Sequence, residues 1–256
     1  MRYEVLGPLR VIDEGGSSSI SARKVETVLT AMVIRSDQVV TLDQLIIEVW
    51  DDAPPRRAMA GLHVYISQVR KFLTRPGREE NPVLTKPPGY LLRKGADDID
   101  FHIFQQLADR GRACIRERRH EEAADCLERA LGLWRGQALG EVRTGPIIGG
   151  FVRWMTELRL ECLEMLGDAY LRLGRHRELI GWLYSLIAEN PLREAYYRQL
   201  MLALYRSDRK ADALRVYQSA RRTLREELGL EPCQALRDLQ RAILSADERL
   251  DLRIAS

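Results

Sequence analysis

A mainly α-helical fold with a small β part, arranged in two domains, is predicted by three features of this 256-residue chain. Residues 1–95 mix short strand-like runs with three segments of helical apolar spacing and close on a hairpin signal. Residues 96–256 keep a helical period almost throughout and repeat themselves at a fixed offset. Charge is also confined: residues 55–94 hold nine Lys/Arg against two acids, a net +7, whereas residues 1–54 carry −4 and residues 95–256 are neutral. The length suits two domains of roughly 100–200 residues.

The first elements are strands. Tyr3-Glu4-Val5-Leu6, Leu9-Arg10-Val11-Ile12 and Ser18-Ser19-Ile20 are separated by Gly7-Pro8 and Asp13-Glu14-Gly15-Gly16, which predicts a small antiparallel sheet. The period then changes. Ser21 is placed to cap a helix whose apolar residues are Val25, Val28, Leu29, Met32 and Val33. Thr41 and Gln44 form a capping box ahead of Leu42, Leu45, Ile46, Val49 and Trp50. Asp51-Asp52-Ala53-Pro54-Pro55 ends that second helix, because a residue before proline avoids the α region.

A third helix is expected over residues 56–73, with Pro55 near its first turn. Leu62, Ile66, Val69 and Leu73 form its buried stripe. At about 100° per residue the opposite side carries Arg57, Ala60, Gly61, Val64, Gln68 and Lys71, flanked by Arg56, His63 and Ser67. A basic cluster alone also fits a solvated helix face. Small outward residues favour close approach to a partner, where an ordinary surface helix more often carries Glu/Lys pairs. Beyond the polar loop at Pro76-Gly77, Val83-Leu84-Thr85 and Tyr90-Leu91-Leu92 read as strands joined by Lys86-Pro87-Pro88-Gly89, a hairpin with a basic tip. Sheet, three helices and hairpin is the order of a winged helix-turn-helix, whose exposed helix fits the DNA major groove. Arg57, His63, Ser67, Gln68 and Lys71 are the expected helix contacts. Arg56, Arg70 and Arg93 are expected on phosphates, and Lys86 on the adjacent minor groove or backbone.

The second part reads as stacked helix pairs. Ala169-Tyr170-Leu171-Arg172-Leu173-Gly174-Arg175-His176 aligns with Ala203-Leu204-Tyr205-Arg206-Ser207-Asp208-Arg209-Lys210 at an offset of thirty-four, the tetratricopeptide period. An earlier pair beginning at Arg119-His120-Glu121 aligns with Arg175-His176-Arg177 at fifty-six, thirty-four plus a twenty-two-residue insertion. That insertion holds Trp134-Arg135-Gly136-Gln137-Ala138-Leu139 and, as expected from its glycines, a loop over residues 145–150. Leu236, Leu239 and Ile243 predict a capping helix. Such a stack offers a concave surface to a partner, or serves as a spacer.

Other classes find little support. No run nears the roughly 18 apolar residues that span a bilayer, and the amino terminus lacks a signal-peptide core, so a cytosolic chain without membrane attachment is expected. Cys114, Cys126, Cys162 and Cys233 are widely spaced and expected as buried free thiols, with no metal site. His63, His102, His120 and His176 are scattered, Glu79-Glu80 and Asp97-Asp98 read as solvated loop acids, and the glycine loop lacks the Lys-Ser/Thr of a phosphate loop. Neither an enzyme nor a cofactor is expected.

Several phrases carry a family resemblance. Val40-Thr41-Leu42-Asp43-Gln44-Leu45-Ile46-Ile47-Glu48-Val49-Trp50 resembles the second helix of the OmpR-type winged helix, Leu62-His63-Val64-Tyr65-Ile66-Ser67-Gln68-Val69-Arg70-Lys71-Phe72-Leu73 its recognition helix, and Thr85-Lys86-Pro87-Pro88-Gly89-Tyr90 its wing. Gln68 stands where that family often has arginine. Ala130-Leu131-Gly132-Leu133-Trp134-Arg135-Gly136, Asn190-Pro191-Leu192-Arg193-Glu194 and Glu226-Glu227-Leu228-Gly229-Leu230-Glu231-Pro232 resemble the bacterial transcriptional activator domain. Together they resemble the short form of the Streptomyces antibiotic regulatory protein family, with a DNA-binding domain over 1–95 and an activator domain over 96–256. The resemblance implies a nucleoid-associated activator of antibiotic biosynthesis genes, two copies on promoter direct repeats near the −35 element, and contact with RNA polymerase including its σ subunit. The acidic Asp51-Asp52 loop, repelled by DNA yet projecting beside it, is the expected polymerase contact. A protein-interaction adaptor and a DNA-binding repressor are the alternative readings.

Overall fold

The computed structural model describes residues 1–74, 80–140, 145–247 and 250, so the Pro76-Gly77 loop with Arg75, Arg78 and Glu79 lies outside the described residues. Strands β1 (Arg2–Glu4), β2 (Arg10–Asp13) and β3 (Gly16–Ser18) precede α1 (Arg23–Ile34), β4 (Val39–Thr41), α2 (Leu42–Trp50) and α3 (Ala58–Leu73). Next come β5 (Val83–Lys86), β6 (Gly89–Leu92), β7 (Asp98–Ile99), α4 (Asp100–Arg116) and α5 (His120–Leu131). The chain continues through α6 (Pro146–Arg172), α7 (His176–Glu189), α8 (Glu194–Tyr205), α9 (Lys210–Leu228) and α10 (Gln234–Leu244). Two compact units form: Met1–Leu107 with Arg129–Leu160, and Ala108–Glu128 with Glu161–Ser256. Their boundaries fall inside α4, α5 and α6, so the segment around the sequence insertion packs with the amino-terminal elements.

In the first unit, β3-β2-β1 is antiparallel as expected, and β7 adds to β1 in parallel. Helix α1 buries Val25, Val28, Leu29, Met32 and Val33. Its N-cap is Ala22, with no side-chain bond, rather than Ser21; the Ala22 carbonyl accepts from the amides of Val25 and Glu26. The α2 capping box forms as predicted, with Gln44 N donating to Thr41 Oγ1 at 3.2 Å and Thr41 N to Gln44 Oε1 at 3.0 Å. On α3, Leu62, Ile66, Val69 and Leu73 are fully or almost fully buried. At ~1.5–3 kcal/mol per buried side chain, this stripe outweighs any preference of the polar face and fixes the helix's rotation. The wing gains a strand that periodicity did not reveal: β4 pairs with β6, giving a β4-β6-β5 sheet. Gly89 makes this possible, since a Cβ there would lie 1.9 Å from the Val40 carbonyl oxygen.

Two readings of the first unit are corrected. The supposed loop over 145–150 is instead the first turn of α6, because Gly145 at φ 72° ends the approach and Pro146 opens the helix. The insertion, whose spacing names no partner, bonds to the amino-terminal segment. Arg135 N donates to Leu6 O at 2.8 Å and Leu139 N to Val5 O at 3.0 Å, while Arg135 Nε lies 3.1 Å from the Glu4 carboxylate. Asp97 is buried and paired with the Met1 amino group at 2.7 Å, so only Asp98 of that dipeptide is exposed. Asp100, 1% exposed, accepts from the amides of Val5 and Leu6; burial is the larger influence and raises its pKa.

The second unit confirms the repeat register through its backbone. Arg118, Gly174 and Asp208, spaced at the two predicted offsets, all adopt positive φ between helices. Each is followed by the same closing bond: Arg119 N to Cys114 O, Arg175 N to Tyr170 O and Arg209 N to Leu204 O, at 2.9, 3.0 and 2.9 Å. This is the six-to-one bond of a Schellman ending. Helix α10 buries Leu236 and Ile243 against the core of α7, α8 and α9. Cys114, Cys126 and Cys162 are buried as expected, but Cys233 is exposed, because it is the N-cap of α10 rather than part of its buried stripe.

Candidate nucleic-acid interface

The interface is built from α3 and the β5–β6 wing. Arg57 is the N-cap of α3, and its side chain, with those of Arg56, His63, Ser67, Gln68, Lys71 and Lys86, is exposed. None of these seven side chains has a partner among the described residues. Val64, 53% exposed, occupies the middle of the outward face beside Ala60. Gly61 departs from its expected outward place: the Trp50 ring lies against it, 3.4 Å from where a Cβ would sit. It therefore serves the α2–α3 approach. Trp50 in turn stacks at 5.7 Å on Tyr65 and receives Lys24 Nζ at 5.0 Å from its centroid.

Arg70 is half-buried and bonded within the fold, contrary to its expected place as a phosphate contact. Its Nε donates to Val83 O at 3.1 Å, its Nη2 to Thr85 Oγ1 at 2.8 Å, and its guanidinium lies 5.6 Å from the Tyr90 centroid. The step of about 100° between successive helix positions that aims Lys71 outward turns Arg70 toward the returning hairpin. Asn81 closes the other end of this clamp. Its Nδ2 donates to Arg70 O at 2.8 Å and its Oδ1 accepts from Val83 N at 3.0 Å. Nothing in the one-dimensional pattern singled out Asn81. Helix and wing are thus fixed to each other before any ligand arrives, which removes an ordering cost from binding. Arg93 pairs with Glu80 at 2.9 Å, both well exposed, an ion pair of small worth that a phosphate can replace.

The tip is tight. Lys86 pairs with Gly89 across a cis Pro87–Pro88 bond, and Lys86 is exposed at the end of β5. Asp51, at φ 53°, caps α2 through its amide to Ile47 O at 2.8 Å, and Asp51 and Asp52 are both exposed ahead of α3.

Behind this surface, Glu48 of α2 is fully buried and reaches the α6 amino terminus, another residue that sequence reading left unassigned. Oε1 accepts from Ile147 N at 2.5 Å and Oε2 from Ile148 N at 3.2 Å. A Cβ on Gly145 would lie 2.4 Å from the carboxyl carbon, so this close approach requires glycine. Burial raises the Glu48 pKa despite the two amide bonds that lower it.

Among the described residues, no cluster of His, Cys, Asp and Glu could hold a metal, and no helix is long and apolar enough to cross a membrane. The family model described as "Bacterial transcriptional activator domain" matches residues 99–244, and "Transcriptional regulatory protein, C terminal" matches residues 19–92. Regulatory protein DnrI of Streptomyces peucetius is 37% identical over 98% of this chain and 94% of its own length. Regulatory protein AfsR of Streptomyces griseus is 35% identical over 98% of this chain, which spans 25% of AfsR. The structure of Mycobacterium tuberculosis EmbR in complex with a low affinity phosphopeptide aligns with TM-score 0.89 and 31% identity, covering 96% of this chain and 65% of that one. An outward basic helix clamped to a wing, followed by paired helices with matching turns, accords with these relatives: the chain belongs to the Streptomyces antibiotic regulatory protein family of transcriptional activators, which join an OmpR-type winged helix to a bacterial transcriptional activator domain.

Proposed function

We propose that this regulator binds double-stranded promoter DNA as two copies on direct repeats near the −35 element and recruits RNA polymerase, through its σ subunit, to antibiotic biosynthesis genes. In this reading residues 1–95 are the DNA-binding domain, residues 96–256 the activator domain, and the protein works on the nucleoid. The observation that carries it is the set of seven exposed side chains, unpartnered among the described residues, on a helix and wing already clamped together. Helix α3 enters the major groove, where Arg57, His63, Ser67, Gln68 and Lys71 reach base edges or phosphates, and Arg56 stays on the backbone. Arg93 joins it by exchanging Glu80 for a phosphate. Lys86 meets the neighbouring minor groove or backbone. Arg70 contributes by holding the wing.

Titrating salt in a fluorescence-anisotropy assay on promoter DNA tests the electrostatic part. Lys71→Ala and Lys86→Ala are expected to weaken binding on every sequence and to lower the log–log salt slope by about one each. Slopes identical to the parent's would defeat those assignments. Reversing the charge of Asp51 and Asp52 is expected to spare DNA binding and lower transcription; loss of DNA binding instead would overturn the division of labour.

A further inference from the structure

The second unit contains a cavity of about 340 Å³ that the reading above does not use, a size within the range of small-molecule sites. Its walls are apolar: Ile115 from α4, Ala169 and Leu171 from α6, Leu202 from α8, and Leu250. Three arginines and one aspartate stand among them, and their bonding differs. Asp168 is already matched, accepting from Arg198 Nη2 at 3.1 Å and from Gln199 Nε2 at 2.8 Å. Arg206 helps build the wall, donating to Leu171 O and Leu250 O at 2.8 Å each. Arg172 occupies the equivalent place thirty-four residues earlier, yet it is exposed and bonds nothing among the described residues. The Nδ1 of His120, also in the lining, is shielded from solvent without a hydrogen-bond partner.

An apolar chamber with a cationic rim, a spare guanidinium and an unsatisfied imidazole nitrogen is complementary to one chemistry. We propose that this cavity binds a small organic carboxylate with an apolar body. Arg172 and the unused donors of Arg198 hold its head group, and the body lies against Ala169, Leu202 and Leu250. Guanidinium suits this task because its planar fork matches a carboxylate's two oxygens.

Calorimetric titration of the full chain with octanoate, 4-phenylbutyrate, octanamide, acetate and inorganic phosphate tests the assignment. Saturable binding of one of the two longer acids, at one site per chain, is expected, with octanamide, acetate and phosphate at least about tenfold weaker. Arg172→Glu, on an exposed position, is expected to lower the acid's affinity by at least about tenfold, and Leu202→Trp to abolish it by filling the chamber. If Leu202→Trp fails to fold by circular dichroism, Arg172→Glu decides alone. No saturable binding of either acid, equal binding of octanamide or of phosphate, or an unchanged affinity in Arg172→Glu would each overturn the proposal.

Discussion

Glu48 links the helix-turn-helix to the start of α6, and its contribution can be measured by substituting it. Its carboxylate accepts two backbone amides in a site with no solvent access. Hydrogen bonds to a charged group contribute ~1.5–3 kcal/mol each, and α6 also gains from an anion at its amino terminus. Burial of the charge opposes both, so Glu48→Ala is expected to cost a net ~2–4 kcal/mol. Glu48→Gln keeps the shape and the neutral charge that burial favours but turns a donor toward one of the two amides, so its expected loss at neutral pH is smaller than that of Glu48→Ala. The pH dependence has a definite sign. Because the folded pKa is raised above the unfolded value of about 4.3, the folded state binds the extra proton. Wild-type stability contributed by Glu48 is therefore least above the folded pKa and increases as pH falls through it toward the unfolded value. Urea unfolding followed by tryptophan fluorescence suits the test, since three of the four tryptophans, Trp50, Trp134 and Trp154, lie in the first unit. The stability of wild type relative to Glu48→Gln should rise as pH is lowered from neutral toward the unfolded pKa. A relative stability independent of pH, or one that falls toward acid, would refute the reasoning.

Three further outcomes follow from the same geometry. Arg70→Ala removes both bonds to the wing and its stacking on Tyr90, so DNA affinity should fall by about tenfold while the salt slope stays at the parent value, since a net ~1–2 kcal/mol of preorganisation is lost without a phosphate contact. Gly89→Ala should destabilise the wing by more than ~2 kcal/mol, because the new methyl collides with the Val40 carbonyl; chemical denaturation would show it. Arg118→Gly should stabilise the chain by up to ~1 kcal/mol, relieving a side chain held at φ 59° where the equivalent repeat uses Gly174; a melting temperature below the parent's would count against the repeat register.

Whatever depends on local spacing was readable from the chain. The α3 stripe, the Thr41–Gln44 box and the repeat offset all follow from intervals of three, four and thirty-four residues, and the left-handed turns at Arg118, Gly174 and Asp208 fall where that offset puts them. The misreadings share a cause. Glu48 looks like any acid on an amphipathic helix, because its partners are amides about a hundred residues away and an amide carries no residue identity. Asp97 looked solvated because its partner is the amino terminus, which no motif encodes. The segment after Leu131 reads only as an insertion in a helical repeat, because its backbone bonds to Val5 and Leu6 leave no mark on residue spacing.

The basic segment illustrates why counting charge overstates a DNA grip. Its +7 was spread over nine cations, and a count treats them as equal. Geometry does not: Arg70 faces inward to Val83, Thr85 and Tyr90, and Arg93 is shared with Glu80, whereas Arg56, Arg57, Lys71 and Lys86 have no partner among the described residues. Arg70 and Lys71 are neighbours of the same charge, yet one holds the hairpin and the other is free to meet a phosphate. Counterion release responds only to the second kind. A substitution series across these cations should therefore separate into two classes, one that lowers the salt slope and one that lowers affinity at constant slope. Arg70 falling in the first class would mean that the clamp opens when DNA binds.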